Sequence, residues 1–192
     1  KHDIAIMGGY NQEESHKESQ WSKRTDVLLE NLPSLSGSTG TASVSDSFDE
    51  YAIRGLFYRV NYAYAGKYML EANGRYDGTS RFPKNNRFGF FPSFSAGWRI
   101  SEEPFMEKTR DILSNLKLRA SWGSIGNQII LKSDNTPDNY PYIPSMATYL
   151  TEWLVDGQKA TTLGAPAMVS NNFSWEKVYT LDFGVDFGFF NN

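Results

Sequence analysis

Cysteine is absent and histidine occurs twice, as His2 and His16. The first absence removes disulfides and thiol chemistry, and it leaves any zinc site dependent on imidazole and carboxylate. Two histidines near one terminus are more often solvated than metal-bound. No run approaches 18 consecutive apolar residues, so the sequence predicts no transmembrane helix. No signal peptide is visible either. Basic residues are not in excess: 19 against 22 acidic ones gives a net charge of −3. That balance offers no footprint for nucleic acid and no polybasic membrane patch. Helical signals are scarce. Ser22 to Leu32 fits about two turns, and Ser101 to Asn115 fits a short helix capped by Ser101 with Pro104 in its first turn. Neither builds a core layer.

What the sequence does have is aromatic residues in a period of two. Aromatics make up 15% of the chain, with 11 Tyr and 13 Phe. In YTLDFGVDFGFF, Tyr179, Leu181, Phe183, Val185, Phe187 and Phe189 alternate with Thr180, Asp182, Gly184, Asp186 and Gly188. One face is apolar throughout and the other is polar or glycine, as in a strand between two environments. The pattern recurs and predicts an all-β chain of about six strands, near 2–13, 50–65, 67–79, 88–101, 115–126 and 174–190. Pro92 interrupts the fourth, because proline removes a ladder donor; a bulge or strand start there would accommodate it.

The connections sort by length. The first, third and fifth span roughly 35, 10 and 45 residues, and the second and fourth roughly 3 and 14. In an antiparallel up-and-down meander this places the long loops, 14–49 and 127–173, at one end. Long loops at one rim and short turns at the other are the habit of outer-membrane barrels. A soluble β-sandwich, such as a carbohydrate-binding module at the cell surface, also alternates, with its apolar face inward. Three features favour the barrel. The polar face carries Arg59, Glu71, Arg75, Lys117, Arg119, Asp182 and Asp186 among Gly and Ser, which suits a wet interior. The apolar face is unusually aromatic, with Tyr and Trp toward strand ends. The strands run about 10 to 15 residues, long enough for a tilted membrane span.

Three stretches carry a family resemblance. GKYMLEANGRYDGTSRFPKNNRFGFFPSFSAGWRISEEPF (Gly66 to Phe105) closely resembles the most recognisable stretch of the SusC/RagA family of TonB-dependent outer-membrane transporters. LKLRASWGSIGNQ (Leu116 to Gln128) and WEKVYTLDFGVDFGFFNN (Trp175 to Asn192) are similar to the next two family landmarks, in the same order. The resemblance implies a barrel of about 22 strands around an N-terminal plug. It implies active import of glycan oligosaccharides or peptides, a SusD-like surface lipoprotein over the mouth, and energy from an inner-membrane TonB–ExbB–ExbD complex. It also implies assembly as a homodimer. On this reading the chain is a six-strand piece of wall with no plug domain. KHDIAIMGGY enters alternation at once without an initiator Met, so a fragment of a longer chain is expected.

Catalytic constellations are missing, and neither an enzyme nor a cofactor is expected. GSIGN (Gly123 to Asn127) reads as a strand-end turn, since no helix follows it. SDNTPDN (Ser133 to Asn139) is oxygen-rich but lacks regular calcium-ligand spacing, and reads as a solvated turn. Asp182 and Asp186 are roughly 13 Å apart along one strand face, too far for paired acid–base work. The loop 127–173 holds the candidate substrate-binding residues Tyr140, Tyr142, Tyr149 and Trp153. Aromatics with polar edges stack on sugars and anchor peptide side chains. They also serve to pack a loop on itself or on a lid protein. Arg81 and Arg87 are expected to knit loops together by ion pairing.

Overall fold

The computed structural model describes residues 1–190. Eight strands follow in order: β1 (His2–Arg24), β2 (Ala42–Tyr64), β3 (Tyr68–Thr79), β4 (Phe88–Arg99), β5 (Leu113–Asn127), β6 (Thr148–Val155), β7 (Gln158–Leu163) and β8 (Glu176–Phe189). Six of them form one antiparallel sheet in the order β1-β2-β3-β4-β5-β8, and β6 and β7 form a separate hairpin. Each strand of the large sheet pairs with its predecessor in that sheet, which is the expected meander. Among the described residues the second sheet is a two-stranded hairpin, so the chain forms an open meander and not the two facing sheets of a sandwich.

The register turns the sequence alternation into two faces. Ile4, Tyr62, Leu70, Ala96, Ala120 and Phe183 lie side by side across the six strands. The next level up is Ile6, Val60, Ala72, Phe94, Trp122 and Leu181. Between these levels, pointing the other way, run Ala5, Asn61, Glu71, Ser95, Ser121 and Asp182. A slip of one residue in any strand would send its aromatics to the polar side. The apolar face is exposed: Ile6 retains 75% of its accessible surface and Phe183 78%. Phe82 and Phe91 are the buried hydrophobic residues, both near the long-loop end. This sheet is therefore not held by an apolar core of its own.

Aromatic rows close the apolar band at both ends. At the short-turn end His2, Tyr64, Tyr68 and Trp98 stand next to one another, with ring centroids 4.9, 6.3 and 6.4 Å apart. At the other end stand Tyr10, Tyr76, Phe88 and Phe90. From His2 to Tyr10 the band covers about 27 Å of strand. At a tilt of about 40° that is about 21 Å of height, near the ~25 Å apolar band of an outer-membrane barrel. Glu103, buried in the connection after β4, ties the short-turn row down. It accepts the Tyr68 hydroxyl at 2.6 Å, the Trp98 indole N–H at 3.1 Å and the Lys67 ammonium at 3.3 Å. The Tyr68 hydroxyl foremost, then the indole, hold its carboxyl below the usual glutamate range against the opposing effect of burial. The turn after β2 is three residues, Ala65 to Lys67, of which Ala65 and Gly66 are left-handed (φ 52° and 70°) as a tight hairpin turn requires.

The segment expected as a loop at 14–49 is largely strand. β1 and β2 pair without a slip from His2–Tyr64 to Arg24–Ala42. Beyond Ile53, where β3 stops, they continue as a two-stranded ribbon for roughly 37 Å. Ser, Glu, Lys and Gln fill this part on both faces, so apolar alternation fades and the sequence reads as loop. The helix expected at Ser22–Leu32 does not form: Ser22 to Arg24 are held across the ribbon by Ala42 to Val44. The second expected helix is present only as 3-10 turns, Ile100–Glu102 and Pro104–Thr109, with Pro104 opening the latter. Among the described residues no helix is long and apolar enough to cross a membrane.

Pro92 sits in an unbulged strand opposite Gly74. Its carbonyl accepts the Ser124 hydroxyl at 3.3 Å, so its carbonyl edge faces β5. In an antiparallel strand a residue's N and O share an edge. The β4–β5 ladder ends at Ser93–Gly123, and the missing N–H therefore falls just past its last rung.

Phe94 and Ser95 are neighbours on opposite faces in mid-strand. Phe94→Arg is expected to cost about 2–4 kcal/mol in a folding titration of the full-length protein in lipid, and Ser95→Arg less than about 1 kcal/mol. Equal costs would refute the face assignment. Glu103, with its lowered pKa, contributes stability that is present above about pH 4.3 and lost as pH falls through its lower folded-state value. An acid titration of tryptophan fluorescence should show a transition below about pH 4.3 that Glu103→Gln abolishes.

Candidate functional site: a polar wall and a pinned loop

The polar face is a mesh of charge-assisted hydrogen bonds. Arg75 donates to both Asp77 carboxylate oxygens at 2.9 Å and to Asn11 at 3.3 Å, with its guanidinium 5.7 Å from the Phe57 ring. Arg59 donates to Asn73 at 2.8 Å, and Asn73 to Glu71 at 2.6 Å. Arg119 donates to Asp186 at 2.9 Å. These pairs cross the strands directly or diagonally, or run along them. They neutralise charge without any acid–base pair aimed at a common point, and the face has the chemistry of a wetted wall. Asp182 and Asp186 lie on it, as the alternation predicts.

The long-loop end is built around Arg81. Its side chain is buried, its guanidinium lies 4.1 Å from the Tyr51 ring, and its Nε donates to Asn139 at 2.6 Å. Asn139 is buried as well and donates to Asp49 at 2.7 Å. The amide thus relays between a cation on the β3–β4 loop and an anion on the ribbon. Tyr51 in turn donates to Glu13 at 2.7 Å. A buried cation needs such partners, since desolvation otherwise outweighs what it gains. Ion pairing was the expected role of Arg81 and Arg87. The structure replaces it: Arg81 meets an amide and a ring, and Arg87 donates to the Phe82 carbonyl at 3.1 Å.

The four candidate aromatics divide into two pairs. Tyr140 and Tyr142 are half-buried and their hydroxyls are engaged. The Glu50 backbone N–H donates to the Tyr140 oxygen at 2.9 Å, and Tyr142 donates to the Ser80 carbonyl at 3.1 Å. Burial first of all pushes the Tyr140 phenol above its ordinary pKa. Tyr149 and Trp153 are 55% and 66% exposed on β6. The loop is pinned a second time at its far end. Trp175 donates to the Arg87 carbonyl at 2.9 Å and packs edge-on against Phe82 and Phe91, and Asn86 donates to the Phe173 carbonyl at 3.1 Å. Phe91 fits there because Gly126 leaves the space its ring fills. Between the two pins the β6–β7 hairpin stands as a sheet of its own. Its turn, Asp156-Gly157, is left-handed at both residues (φ 52° and 78°). An Asp-Gly pair between strands is a strong hairpin signal, and it marks a hairpin that the strand reading of the sequence passed over.

The weaker candidates resolve simply. His2 and His16 share a face of β1 but are roughly 48 Å apart along it. His2 bonds the Tyr62 hydroxyl at 2.9 Å, and His16 bonds Glu18 at 3.1 Å. In the SDNTPDN turn, Asp134 accepts the Thr136 hydroxyl at 2.6 Å and its N–H at 3.0 Å. Those bonds hold its carboxyl below the usual range, and the turn closes on itself. Among the described residues no three His, Cys, Asp or Glu side chains are grouped to hold a metal ion.

A two-faced meander with a polar wall, aromatic rows and long loops at one end has close counterparts. The family model for TonB-dependent receptor-like β-barrels matches residues 2–192. The chain belongs to that family. It is 30% identical over its whole length to TonB-dependent receptor P3 of Formosa agariphila, covering 18% of that protein. It is 39% identical over 70% of its length to the TonB-dependent receptor SusC of Bacteroides thetaiotaomicron, covering 13% of it. Among solved structures, the RagAB peptide importer in its closed-closed state superposes over the whole chain with a TM-score of 0.80 and 25% identity, covering 20% of the matched chain. Its open-open state gives 0.80 at 24% identity. The chain thus spans less than a fifth of the curated relatives it matches. It is a wall segment of an outer-membrane β-barrel of the kind found in the Bacteroidetes relatives. In such a wall the aromatic face meets lipid and the Arg/Asp/Glu face lines the interior.

Asn139→Ala should leave Arg81 and Asp49 without their bridge, at a cost of about 1–3 kcal/mol. Hydrogen exchange should then show faster amide exchange in residues 137–142 and an unchanged rate in β3 and β4. Uniform acceleration, or none, would mean that Asn139 does not pin the loop.

Proposed function

We propose that this chain is part of the wall and mouth of a TonB-dependent outer-membrane importer that takes up glycan oligosaccharides or peptides. The observation that carries the reading is the register: between the two aromatic rows, six strands keep their carboxylate, Lys and Arg side chains on one face and the large aromatics on the other, with Phe57 and Phe91 as the polar-face exceptions near the loop end. Relatives support both cargo classes, since SusC and the RagAB peptide importer are both similar to the chain. The segment's share of the mechanism is containment. It needs no covalent chemistry on cargo, and its polar face supplies a hydrated, charge-balanced surface.

On this reading the long-loop end is extracellular and the Ala65-Gly66 end is periplasmic, following the habit of short periplasmic turns. The barrel is closed and plugged by other parts of the same protein, a SusD-like lipoprotein lids the mouth, and TonB–ExbB–ExbD supplies energy through regions outside this chain. Two such assemblies pair as a homodimer. Tyr149 and Trp153, exposed on a hairpin held at both stems, meet cargo or lid; Tyr140 and Tyr142 position the loop that carries them.

Uptake of labelled maltooligosaccharides and of mixed oligopeptides by cells expressing the full-length protein tests this directly. One of the two cargoes should accumulate, and deletion of tonB should abolish it. Tyr149→Ala with Trp153→Ala should lower that uptake about tenfold, the effect of roughly 1.4 kcal/mol of binding. Accumulation independent of tonB would overturn the importer reading. Unchanged uptake in the double variant would overturn only the role of the hairpin.

A further inference from the structure

The outward face changes character just above the upper aromatic row. Going up β2 from Tyr64, its outward side chains are Tyr62, Val60, Tyr58 and Leu56, and the next is Arg54. Arg54 stands two residues beyond the Leu56–Tyr76 pair, roughly 5 Å higher for a strand tilted by about 40°. β3 ends at that level with Thr79, and the Ser80 N–H donates to the Ala52 carbonyl at 2.9 Å as the chain leaves the sheet. Strand end, ribbon and loop enclose a hollow of about 380 Å³. Three cations, Arg54, Lys84 and Arg87, line it, with Glu14 as its one carboxylate.

We propose that this hollow binds the phosphate of a lipid in the outer leaflet of the membrane. The inference rests on the face assignment and the orientation of the importer reading, which put the hollow outside the barrel at the extracellular edge of the hydrocarbon. Three observations choose the occupant. The first is charge. Among the described residues the salt bridges are made by other cations, and Arg54, Lys84 and Arg87 have none. Glu14 is tied along β1 instead: it accepts the Gln12 amide at 3.3 Å, and Gln12 accepts the Tyr10 hydroxyl at 2.6 Å. Arg87 is already oriented, since its Nε donates to the Phe82 carbonyl at 3.1 Å and its terminal nitrogens keep donors to spare. Guanidinium N–H groups meet phosphate oxygens in pairs, and an ammonium adds a point charge. The second observation is the apolar edge of the hollow. The Arg54 guanidinium lies 5.0 Å from the centre of the Phe88 ring, and that ring stacks on Tyr76 at 5.2 Å. Phe88 lies over Gly78, where a side chain would collide with it. A ligand here meets charge above and aromatic hydrocarbon below, which fits an anion carrying acyl chains better than a small free anion. The third observation is depth. The cations lie just beyond the row of Tyr10, Tyr76 and Phe90, where hydrocarbon gives way to headgroups. An outward-facing Arg costs least at that depth, and a phosphate beside it supplies the partner that the protein does not.

The test removes the charges and keeps the shape. Full-length protein, purified in mild detergent, is mixed with monophosphoryl lipid A, with the same lipid stripped of its phosphate, or with the phosphorylated lipid and a large excess of inorganic phosphate. Native mass spectrometry counts the bound lipid, and the heat-shift of gel mobility checks the fold. Arg54→Gln with Lys84→Gln alters two exposed side chains that take no part in the loop pins. Arg54→Lys with Lys84→Arg keeps both charges in place. Lys23→Gln, roughly 36 Å along β1 from Gln12, controls for net charge. The expected result is one phosphorylated lipid retained by wild type, by the charge-conserving variant and by Lys23→Gln. The double Gln variant should lose about tenfold of that adduct, as for two charge-assisted contacts at an exposed site. Wild type should hold the dephosphorylated lipid no better than the double Gln variant holds the phosphorylated one. Equal retention of the phosphorylated lipid by wild type and the double Gln variant would overturn the proposal. So would equal retention of both lipids by wild type, because acyl chains alone would then make the contact. Displacement of the lipid by inorganic phosphate would also overturn it, because the site would then be one for a free anion. If the double Gln variant does not fold, Lys84→Gln alone decides by the same comparison. The lipid count is read on purified protein. Uptake independent of tonB with the count intact would therefore remove the importer reading, and an unselective count with tonB-dependent uptake intact would remove this proposal alone.

Discussion

A strand that faces hydrocarbon has no water to satisfy its backbone, and every N–H and C=O along it must be met by a neighbouring strand. The rest of this structure depends on that ladder. With the apolar face exposed and two buried hydrophobic residues at the loop end, there is no packed interior to fix the strands. Register is fixed by cross-strand pairs, by the tight turn between β2 and β3 and by the polar mesh. Arg119 reaching Asp186, or Arg59 reaching Asn73, are modest contributions at exposed sites. Their larger effect is to penalise a slip, since a one-residue shift would bring every one of these charges to the lipid side. The same ladder leaves β1 and β8 as open edges, each with one neighbour. In a membrane those edges are intolerable, and the strands that cover them belong to the same barrel.

The wall was legible from the sequence wherever two solvents press on one strand. Residues 67–79, 88–101 and 115–126 alternate because lipid and water each select one face, and the structure places those strands within a few residues of the expected bounds. Where the selection stops, the signal stops. The ribbon formed by β1 and β2 beyond Ile53 is strand on both sides of a hairpin, but water lies on both its faces. Ser43, Ser45 and Ser47 across from Lys23, Trp21 and Ser19 have no period to read. Backbone pairing sustains this ribbon, and composition says nothing about pairing.

The loop cluster was legible only in part, for a different reason. Tyr140, Tyr142, Tyr149 and Trp153 stand out by type, yet type does not tell an aromatic that packs from one that awaits a ligand. What separates them is partners contributed from far along the chain. Ser80 is 62 residues from Tyr142, Glu50 is 90 from Tyr140, and Asp49 is 90 from Asn139. Arg81 draws attention as a charge, but its role follows from burial, and burial follows from the meander that brings the β3–β4 loop beneath the ribbon. The β6–β7 hairpin is the reverse case. Asp156-Gly157 announces it locally, and nothing in its surroundings is needed to predict it.

These two kinds of legibility point to a division of labour. The wall obeys a constraint imposed by its solvents, and that constraint is indifferent to what lies behind the alternation. The mouth obeys no such constraint. It is held at two places, Arg81–Asn139–Asp49 and Trp175 on Phe82 and Phe91, and both pins lie on the wall's own loop end. Between them some thirty residues, including the whole hairpin, make their described hydrogen bonds among themselves, as the buried Thr151 does with Trp153 and Ala160. A change in Tyr149 or Trp153 therefore leaves the pins and the ladder intact, whereas a change in Arg81 or Trp175 loosens every residue between them. On the proposed importer reading, specificity can vary in the hairpin because the pins and the ladder do not depend on it.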